Sequence, residues 1–302
     1  MIGRTFLIPF LLIIIFRTTG TGQVGQTGLA FLKLGVGGRA LGMGEAYSAI
    51  ATDPSGMYYN PASLALASSP QLLLMHKEWI QDAKTEYIGA TTIMGKVALG
   101  ISVNSTSINN IEIREGPGPA QGSFDSHNAA IGISGGYRVD SSFSIGITGK
   151  YLYEKILVNE ASGLAVDLGG WYLTPWNVRL ALAVNDLGSL NELEYESTKL
   201  PTTIRAGGAY EIPMPSIDGT LTAASDIVTI TGEKKTHLHL GAEVNHRQVL
   251  SVRIGYQTGY DARSFSTGVG FRYGLFQIDY AFVPTKFDLG STHTFSLLVD
   301  FR

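Results

Sequence analysis

The sequence predicts an all-β transmembrane protein: a 14-stranded antiparallel outer-membrane β-barrel with a small N-terminal hatch inside it. Three observations predict this fold. The chain begins with an export signal, it continues with segments that are apolar on one face only, and the connections between these segments alternate between short and long. Each of these observations is a pattern typical of bacterial barrels that are inserted from the periplasm.

Composition limits the classes of function that the chain can have. Charged residues make up 16% of the 302 residues, whereas soluble domains average about a quarter. The mean hydropathy of +0.14 is intermediate, as expected when only every second side chain of a strand faces lipid. A net charge of −3 gives no basic surface for a nucleic-acid partner, and the absence of Cys excludes disulfides and thiolate metal sites.

The N-terminus has the three parts of a secretory signal peptide. Arg4 supplies the positive charge, residues 6–16 form the apolar region, and small residues follow as far as Gln23. A membrane helix needs roughly 20 apolar residues, and this stretch is shorter. We therefore predict a signal peptide over residues 1–22, cleaved before Gln23. The alternative is an uncleaved inner-membrane anchor, which Arg17 directly after the apolar region favours.

From about residue 70 onward the chain repeats segments of about ten residues with period-two alternation. In one of them Phe143, Ile145 and Ile147 alternate with Ser144 and Gly146. This pattern predicts strands that are wetted on one side, in a barrel or, alternatively, in a soluble sandwich. Fourteen segments are predicted, and we assign residues 70–302 to the barrel. They centre near residues 74, 89, 100, 131, 148, 168, 181, 207, 223, 240, 253, 269, 279 and 297.

The connections between these segments alternate in length. Tight turns are predicted at 94–96, 138–141, 174–177, 213–216, 245–248 and 274, and longer links at 108–123, 155–162, 186–200, 229–235 and 258–263. Bacterial barrels have short periplasmic turns and longer extracellular loops, so the alternation favours a barrel over a sandwich. The short link at 81–84 stands where a loop is expected.

Two details near the C-terminus sharpen the prediction. A turn at Gly274 and Leu275 pairs Tyr273 with Phe276, which keeps the apolar residues of both strands on one face. The last strand carries an apolar row that ends at Phe301, one residue before the end of the sequence. This ending is similar to the C-terminal strand of bacterial outer-membrane proteins.

Residues 23–69 do not follow the strand pattern. They are rich in small residues, which let backbone segments pack closely, and we predict that they form a compact hatch inside the barrel. The run GGRALGMGEAYSAIATDPSGMYYNPASLA (37–65) resembles the N-terminal hatch of FadL-type (OMPP1/TodX-type) outer-membrane proteins. The residues that carry this resemblance are Gly38, Arg39, Gly42, Gly44, Asp53, Asn60, Pro61 and Ala62.

Within that superfamily the chain resembles the PorV/PorQ family. The resemblance rests on IEIREGPGPAQGS (111–123), LPTTIRAGGAYEI (200–212) and LSVRIGYQTGYD (250–261). It implies fourteen strands, a hatch and a role as an accessory of type IX secretion that binds secreted cargo proteins or the translocon barrel.

Charged residues on the predicted inward faces are expected to line the lumen and not to catalyse a reaction. They are Asp167, Arg205, Asp226, Glu243, Arg253, Arg272 and Asp279. His237 and His239 share one face of a strand, but no third metal ligand has a suggestive spacing. The G-x-G-x-x-A run at 35–40 lacks the preceding strand that a dinucleotide site needs. We expect no cofactor, no metal site and no enzymatic activity.

Two functions from different classes follow from this reading. The first is a secretion accessory, and the second is a FadL-type channel that takes up hydrophobic small molecules across the outer membrane. A channel needs an apolar pocket beside the hatch. The predicted inward rows consist mainly of Gly, Ser, Thr and charged residues, which favours the accessory. Outer-membrane lipid is a partner in either case, and a purely structural barrel is a third alternative.

Overall fold

The computed structural model describes residues 28–302 apart from positions 80–82, 115, 117, 194, 195, 234, 288 and 289, and apart from the side chains of 192–198. The predicted signal peptide and the first residues of the predicted hatch, 23–27, lie outside the described residues. The boundaries at 22 and 69 therefore stay predictions, although the first strand begins at Gln71.

Fifteen β-strands are present in the part of the chain that the structure describes. They are β1 (Gln71–Glu78), β2 (Lys84–Met94), β3 (Val97–Ile113), β4 (Gly122–Arg138), β5 (Phe143–Ile156), β6 (Asn159–Leu173), β7 (Arg179–Leu193), β8 (Glu196–Lys199), β9 (Thr203–Met214), β10 (Gly219–Ile230), β11 (Thr236–His246), β12 (Leu250–Gln257), β13 (Phe265–Tyr273), β14 (Phe276–Pro284) and β15 (Ser291–Asp300).

Fourteen of these strands close into an antiparallel barrel, as predicted. Sequence neighbours pair from β1 to β7, β7 pairs with β9, the series continues to β15, and β15 pairs with β1. The short strand β8 pairs with β7 alone and stands outside the ring. Closure gives each strand of the ring a partner on both sides, which is what a strand in lipid requires. All fourteen predicted centres fall within the strands of the ring.

The wall of the barrel is uneven in height, which the sequence did not predict. The strands β3 to β7 run for 14 to 17 residues, longer than the predicted ten. The predicted loop 155–162 is a tight hairpin that turns at Leu157 and Val158, and residues 108–113 and 122–123 of the predicted loop 108–123 belong to strands. In these strands the cross-strand hydrogen bonds continue beyond the residues whose apolar side chains face lipid. The additional strand residues are polar, and their composition is that of a loop. We call β3 to β7 the tall wall.

Side chains alternate between an apolar outer surface and an interior that is largely polar. Ile133 is 70% exposed on the outside, whereas Ser134, the next residue, is buried. The hairpin at Gly274 has the predicted register, with Tyr273 opposite Phe276. Trp171 points inward, where its indole N–H donates to the carbonyl of Ala49 at 2.9 Å.

The barrel has two ends that differ in their connections. The turn end carries the six predicted tight turns, and there Gln71 pairs with Asp300, so both ends of the strand series meet at this rim. The loop end carries the remaining connections, including residues 258–264 between β12 and β13. These names, turn end and loop end, are used below.

Residues 28–69, the N-terminal segment, are enclosed by the strands. The segment contains a 3₁₀ helix (Ala30–Lys33), α1 (Gly38–Gly42), α2 (Gly56–Tyr59) and a second 3₁₀ helix (Pro61–Leu66). The first α-helix packs on β12 to β15, and Pro61–Leu66 packs on β3 to β6, so the segment contacts separate parts of the ring. Among the described residues, no helix combines the length and the apolar character needed to cross a bilayer.

Candidate functional site

The N-terminal segment lies against the wall with backbone in direct contact with backbone. Gly44 has a φ of +62°, and a Cβ at this position would lie 2.8 Å from the amide nitrogen of Tyr256. At Gly42 a Cβ would lie 3.0 Å from the Cα of Gly268 on β13. Only glycine fits such close approaches, so these two motif residues and Gly38 seat the segment on β12 to β15.

The motif Asn60-Pro61-Ala62 is seated on the opposite part of the ring. The side chain of Asn60 accepts the N–H of Ala62 at 3.1 Å and donates to the carbonyl of Gly170 on β6 at 3.1 Å. Beneath Pro61, Gly146 is paired across the sheet with Gly169, and a side chain on either glycine would overlap with residues 60–62. Asn60 is therefore a structural link between segment and wall.

Asp53 stabilises a turn within the segment. Its carboxylate accepts the hydroxyl of Tyr47 at 2.6 Å and the N–H of Ser55 at 2.8 Å. Burial is the largest influence on Tyr47 and raises the pKa of its hydroxyl well above the usual value. Tyr47 therefore stays a neutral donor to Asp53.

Towards the turn end, four of the motif and lumenal charges form one network. Arg39 donates two hydrogen bonds to Glu243, at 3.0 and 2.7 Å, and Arg253 donates to both Glu243 and Asp279. Except for Arg39, these side chains are almost completely buried. Arg272 stands opposite Gln277 and diagonal to Asp279, and its guanidinium contacts Gln277 and Asp300.

The remaining predicted lumenal residues are also buried, but in separate groups. Asp167 and Asp186 both contact the ammonium group of Lys150 at 2.7 Å. Asp226 accepts the backbone N–H groups of Tyr47 and Ser48, and so holds the N-terminal segment from β10. The Arg205 guanidinium lies over the rings of Tyr58 and Tyr59, with its carbon 5.8 and 5.3 Å from their centroids.

The turn end opens into a polar recess of about 560 Å³. Charged and amide side chains line it, among them Arg39, Glu243, Arg253, Arg272 and Gln277. Such a lining is hydrated, and it offers no surface on which an apolar molecule would be stabilised.

The loop end contains an apolar compartment that sequence reasoning missed. Leu29, Phe31, Leu32 and Leu34 of the N-terminal segment pack there against inward side chains of the tall wall and its connections, with Trp79 at the edge. The wall residues are Ala130, Leu152, Ala161, Ala165, Leu190 and Leu200. The signal was present in the sequence, because Leu152 stands between the inward positions Lys150 and Glu154 and breaks the polar row.

The compartment is filled in this structure. A gap of about 20 Å³, lined by residues that include Leu32, Tyr58, Tyr87 and Lys150, is large enough for a single water molecule. Leu29 has a left-handed φ of 48°, and its N–H is directed to the Glu154 carboxylate at the edge of the compartment. The segment thus occupies the space that an apolar ligand would need.

His237 and His239 lie inside the barrel near the loop end. His237 contacts Glu233 at 2.8 Å, and His239 contacts the Tyr260 hydroxyl at 3.1 Å. No group of three or more His, Asp or Glu residues in the described part of the chain could hold a metal ion. The two histidines act as hydrogen-bonding and stacking partners for the loop that contains Tyr260.

Comparisons with known proteins agree with this architecture. The model of the family UPF0164, described as an uncharacterised protein family, matches residues 17–164. No curated protein matches the sequence. Among solved structures, the CymD monoaromatic hydrocarbon channel has a TM-score of 0.62 at 14% identity, over 89% of this chain and 98% of that one.

Two further structures have the same fold. The Pseudomonas putida toluene transporter TodX has a TM-score of 0.60 at 12% identity, over 88% of this chain and 97% of that one. A Pseudomonas aeruginosa FadL homologue has a TM-score of 0.57 at 13% identity, over 87% and 98%. The chain therefore has the fold of FadL-like outer-membrane barrels, and these neighbours are not enzymes. The PorV/PorQ assignment rests on the sequence resemblance and stays a prediction.

Proposed function

We propose that this protein is an outer-membrane channel that takes up hydrophobic small molecules, with the apolar compartment at the loop end as their binding site. The observation that carries the proposal is the compartment itself, an apolar cluster at the loop end in which residues 29–34 meet inward side chains of the wall. It reverses the argument from sequence, which favoured a secretion accessory because no apolar pocket was visible in the inward rows.

Energetics support binding at the compartment and not at the turn end. Transfer of an apolar ligand from water gains about 25 cal/mol per Å² of buried surface, so a lining of Leu, Phe and Ala side chains supplies a driving force. The recess at the turn end is lined by charged groups that would have to be desolvated. Bacterial barrels place tight turns in the periplasm, so we expect the compartment to face the outside, where the ligand arrives.

Because the N-terminal segment occupies the compartment, binding of a ligand requires part of this segment to move. Residues 29–34 pack in the compartment, and the gap beside Leu32 holds only about 20 Å³, far too little for an organic molecule, so these residues must leave before a ligand binds. These residues belong to the predicted hatch, residues 23–69. We therefore infer that displacement of the hatch and binding of the ligand are one event.

The comparisons favour this function over secretion. Of three structural neighbours, one is named as a monoaromatic hydrocarbon channel, one as a toluene transporter and one as a FadL homologue. Secretion as a type IX accessory rests on the sequence resemblance to PorV/PorQ alone. An aromatic hydrocarbon is accordingly the first ligand to test.

The test is uptake of radiolabelled toluene by a host strain that lacks such channels. Leu152→Asn places an unsatisfied amide in the compartment, and we expect uptake to fall on the order of tenfold. Leu157→Asn, on the exposed β5–β6 turn, is the matched control and should retain uptake. Heat-modifiable mobility on gels verifies that each barrel is assembled. Assembled Leu152→Asn protein with full uptake would contradict the proposal.

A deletion in the native host separates the two functions. Loss of growth on a hydrophobic carbon source with intact secretion supports the channel. Accumulation of secreted proteins in the periplasm, with unchanged growth on that carbon source, would support the accessory and contradict the channel.

A further inference from the structure

Residues 258–264, which join β12 to β13 at the loop end, fold inward over the N-terminal segment; we call them the strap. The ring of Tyr260 is stacked on that of His237, with centroids 3.9 Å apart and planes 12° from parallel. The Tyr260 hydroxyl also lies 3.1 Å from Nε2 of His239. The strap is therefore attached to the inner face of β11.

The strap provides the cationic partner of a buried carboxylate in the N-terminal segment. Nη1 of Arg263 lies 3.2 Å from Oε1 of Glu45, which is only 2% exposed. The Arg263 guanidinium carbon is also 4.6 Å from the centroid of the Tyr260 ring. Without this arginine, Glu45 would keep the amide of Gln257, at 3.3 Å, but would lose its ion-pair partner. A buried carboxylate left without its cation is strongly destabilising.

Glu45 is in direct contact with the residue that follows the compartment residues 29–34. A Cβ on Gly35 would lie 2.5 Å from Cδ of Glu45, so the carboxylate packs on the Gly35 backbone. The carbonyl of Gly35 in turn accepts the ammonium group of Lys77 at 2.9 Å. Loss of Arg263 as the partner of Glu45 would therefore destabilise the segment at Gly35, where it leaves the compartment.

The strap can move without breaking the barrel. The strand β12 ends at Gln257 and β13 begins at Phe265, so the strap lies outside both strands, and an antiparallel bridge joins its residue Arg263 to Thr285. Gly259 has a φ of +85°, a conformation that favours glycine, and a Cβ there would lie 2.7 Å from Nδ1 of His237. This glycine allows the chain to approach the histidine closely. Loops attached by polar contacts open at low free-energy cost relative to the strands below them.

We propose that the strap is a latch: while it is seated, Arg263 holds Glu45 and the N-terminal segment in place, and when it lifts, residues 29–34 are free to leave the compartment. The part that concerns ligands rests on the proposed channel function. The coupling between strap and segment does not, and it is tested separately.

The first experiment locks the strap with an engineered disulfide. The backbone N–H of Lys286 donates to the backbone carbonyl of Ala262 at 2.8 Å, next to the antiparallel bridge between Arg263 and Thr285. Residues opposite each other in such a pair have Cα atoms about 5 Å apart, which suits a disulfide. The chain has no Cys, so Ala262→Cys with Lys286→Cys creates a single bridge and leaves Tyr260 and Arg263 unchanged.

Two measurements are made on this variant, hydrogen exchange in lipid nanodiscs and toluene uptake in cells of the host strain. Oxidation is expected to slow amide hydrogen exchange in residues 29–47 on the order of tenfold and to abolish toluene uptake, and reductant should restore both. Each single-cysteine variant is the control and should respond to neither treatment. Unchanged exchange in the oxidised double variant would overturn the latch. If exchange slows but no variant, including the wild type, takes up toluene, the channel function fails and the latch stands.

The second experiment releases the strap. Arg263→Gln should accelerate exchange in residues 29–47 on the order of tenfold, and Arg263→Lys should retain most of the protection because it keeps the cation. Arg247→Gln removes an exposed arginine at the turn end that pairs with Asp218, and serves as the control. Equal exchange in all three variants would contradict the proposal, whereas acceleration confined to Arg263→Gln supports it.

Discussion

The two ends of the barrel interior differ in chemistry although the same strands form both. At the turn end the N-terminal segment is held by the ion pair of Arg39 with Glu243, which the wall residues Arg253 and Asp279 extend, beside a polar recess. At the loop end it is held by apolar packing against Leu152 and its neighbours. Ion pairs are specific in geometry, whereas apolar packing is tolerant of exchange. The comparison indicates that the segment is anchored at the turn end and replaceable by a ligand at the loop end.

The largest expected effect comes from breaking the anchor. Glu243→Gln leaves Arg39 and Arg253 without the carboxylate that they share, and loss of a buried partner costs about 3–5 kcal/mol. Chemical unfolding in detergent should show this loss. Lys155→Ala removes an exposed pair with Glu160, where solvent screening leaves little or no loss of stability to expect. Equal stability of the two variants would mean that the anchor does not exist.

A smaller effect is expected at the seat of Asn60. A Cβ on Gly169 would overlap with the Asn60 side chain, whereas one on the adjacent Gly170 faces open space outside the barrel. Gly169→Ala should therefore destabilise the protein by about 1–3 kcal/mol and increase ion conductance in planar bilayers, because the segment is displaced. Gly170→Ala should remain within about 0.5 kcal/mol of the wild type. The pair tests whether the segment closes the barrel, since only the inward change should raise conductance.

The smallest effect concerns pH at the loop end. Burial acts to raise the pKa of Glu45, but Arg263, His239, Arg205 and Lys77 together lower it below its usual value. A carboxylate with a lowered pKa contributes stability above its unfolded pKa, about 4.3, and loses it as the pH falls through the lower folded value. Glu45 therefore stays ionised between pH 7 and about 5, and its titration should not change the protection of the segment against protease in that range.

The control for this prediction is Glu45→Gln, which removes the ionisable group. Below about pH 4 the wild type should lose protection through Glu45, and the variant should lack this part of the pH dependence. If the variant and the wild type have identical profiles down to the lowest pH, the Arg263 ion pair does not hold the segment.

The strands were predictable from sequence because alternation depends on local residues and on two environments, lipid and lumen. The pairing of Tyr273 with Phe276 follows directly from the turn at Gly274. The height of the tall wall was not predictable, because polar strand residues above the lipid have the composition of a loop. The predicted loop 155–162 is such a case.

The site was less accessible to sequence reasoning than the fold. The glycines of the hatch motif can be recognised in the sequence, and they lie where the segment contacts the wall. The apolar compartment joins Leu29 and Leu32 to Leu152, Leu190 and Leu200, which are far apart in sequence. Glu45 was missed as well, because its partner Arg263 becomes apparent only when the strap folds inward. Such contacts are set by the closure of the ring.

Tryptophan fluorescence gives the most direct test of where a ligand binds, since the chain has three tryptophans in distinct environments. Trp79 is at the compartment, Trp171 is buried under the segment, and Trp176 is 77% exposed at the turn end. Variants that retain one tryptophan each would be titrated with a brominated toluene, which quenches nearby indoles. Saturable quenching of Trp79, without saturable quenching of Trp171 or Trp176, is the result expected if the compartment binds the ligand. Equal quenching of all three, or saturable quenching of Trp176 alone, would contradict a binding site at the loop end.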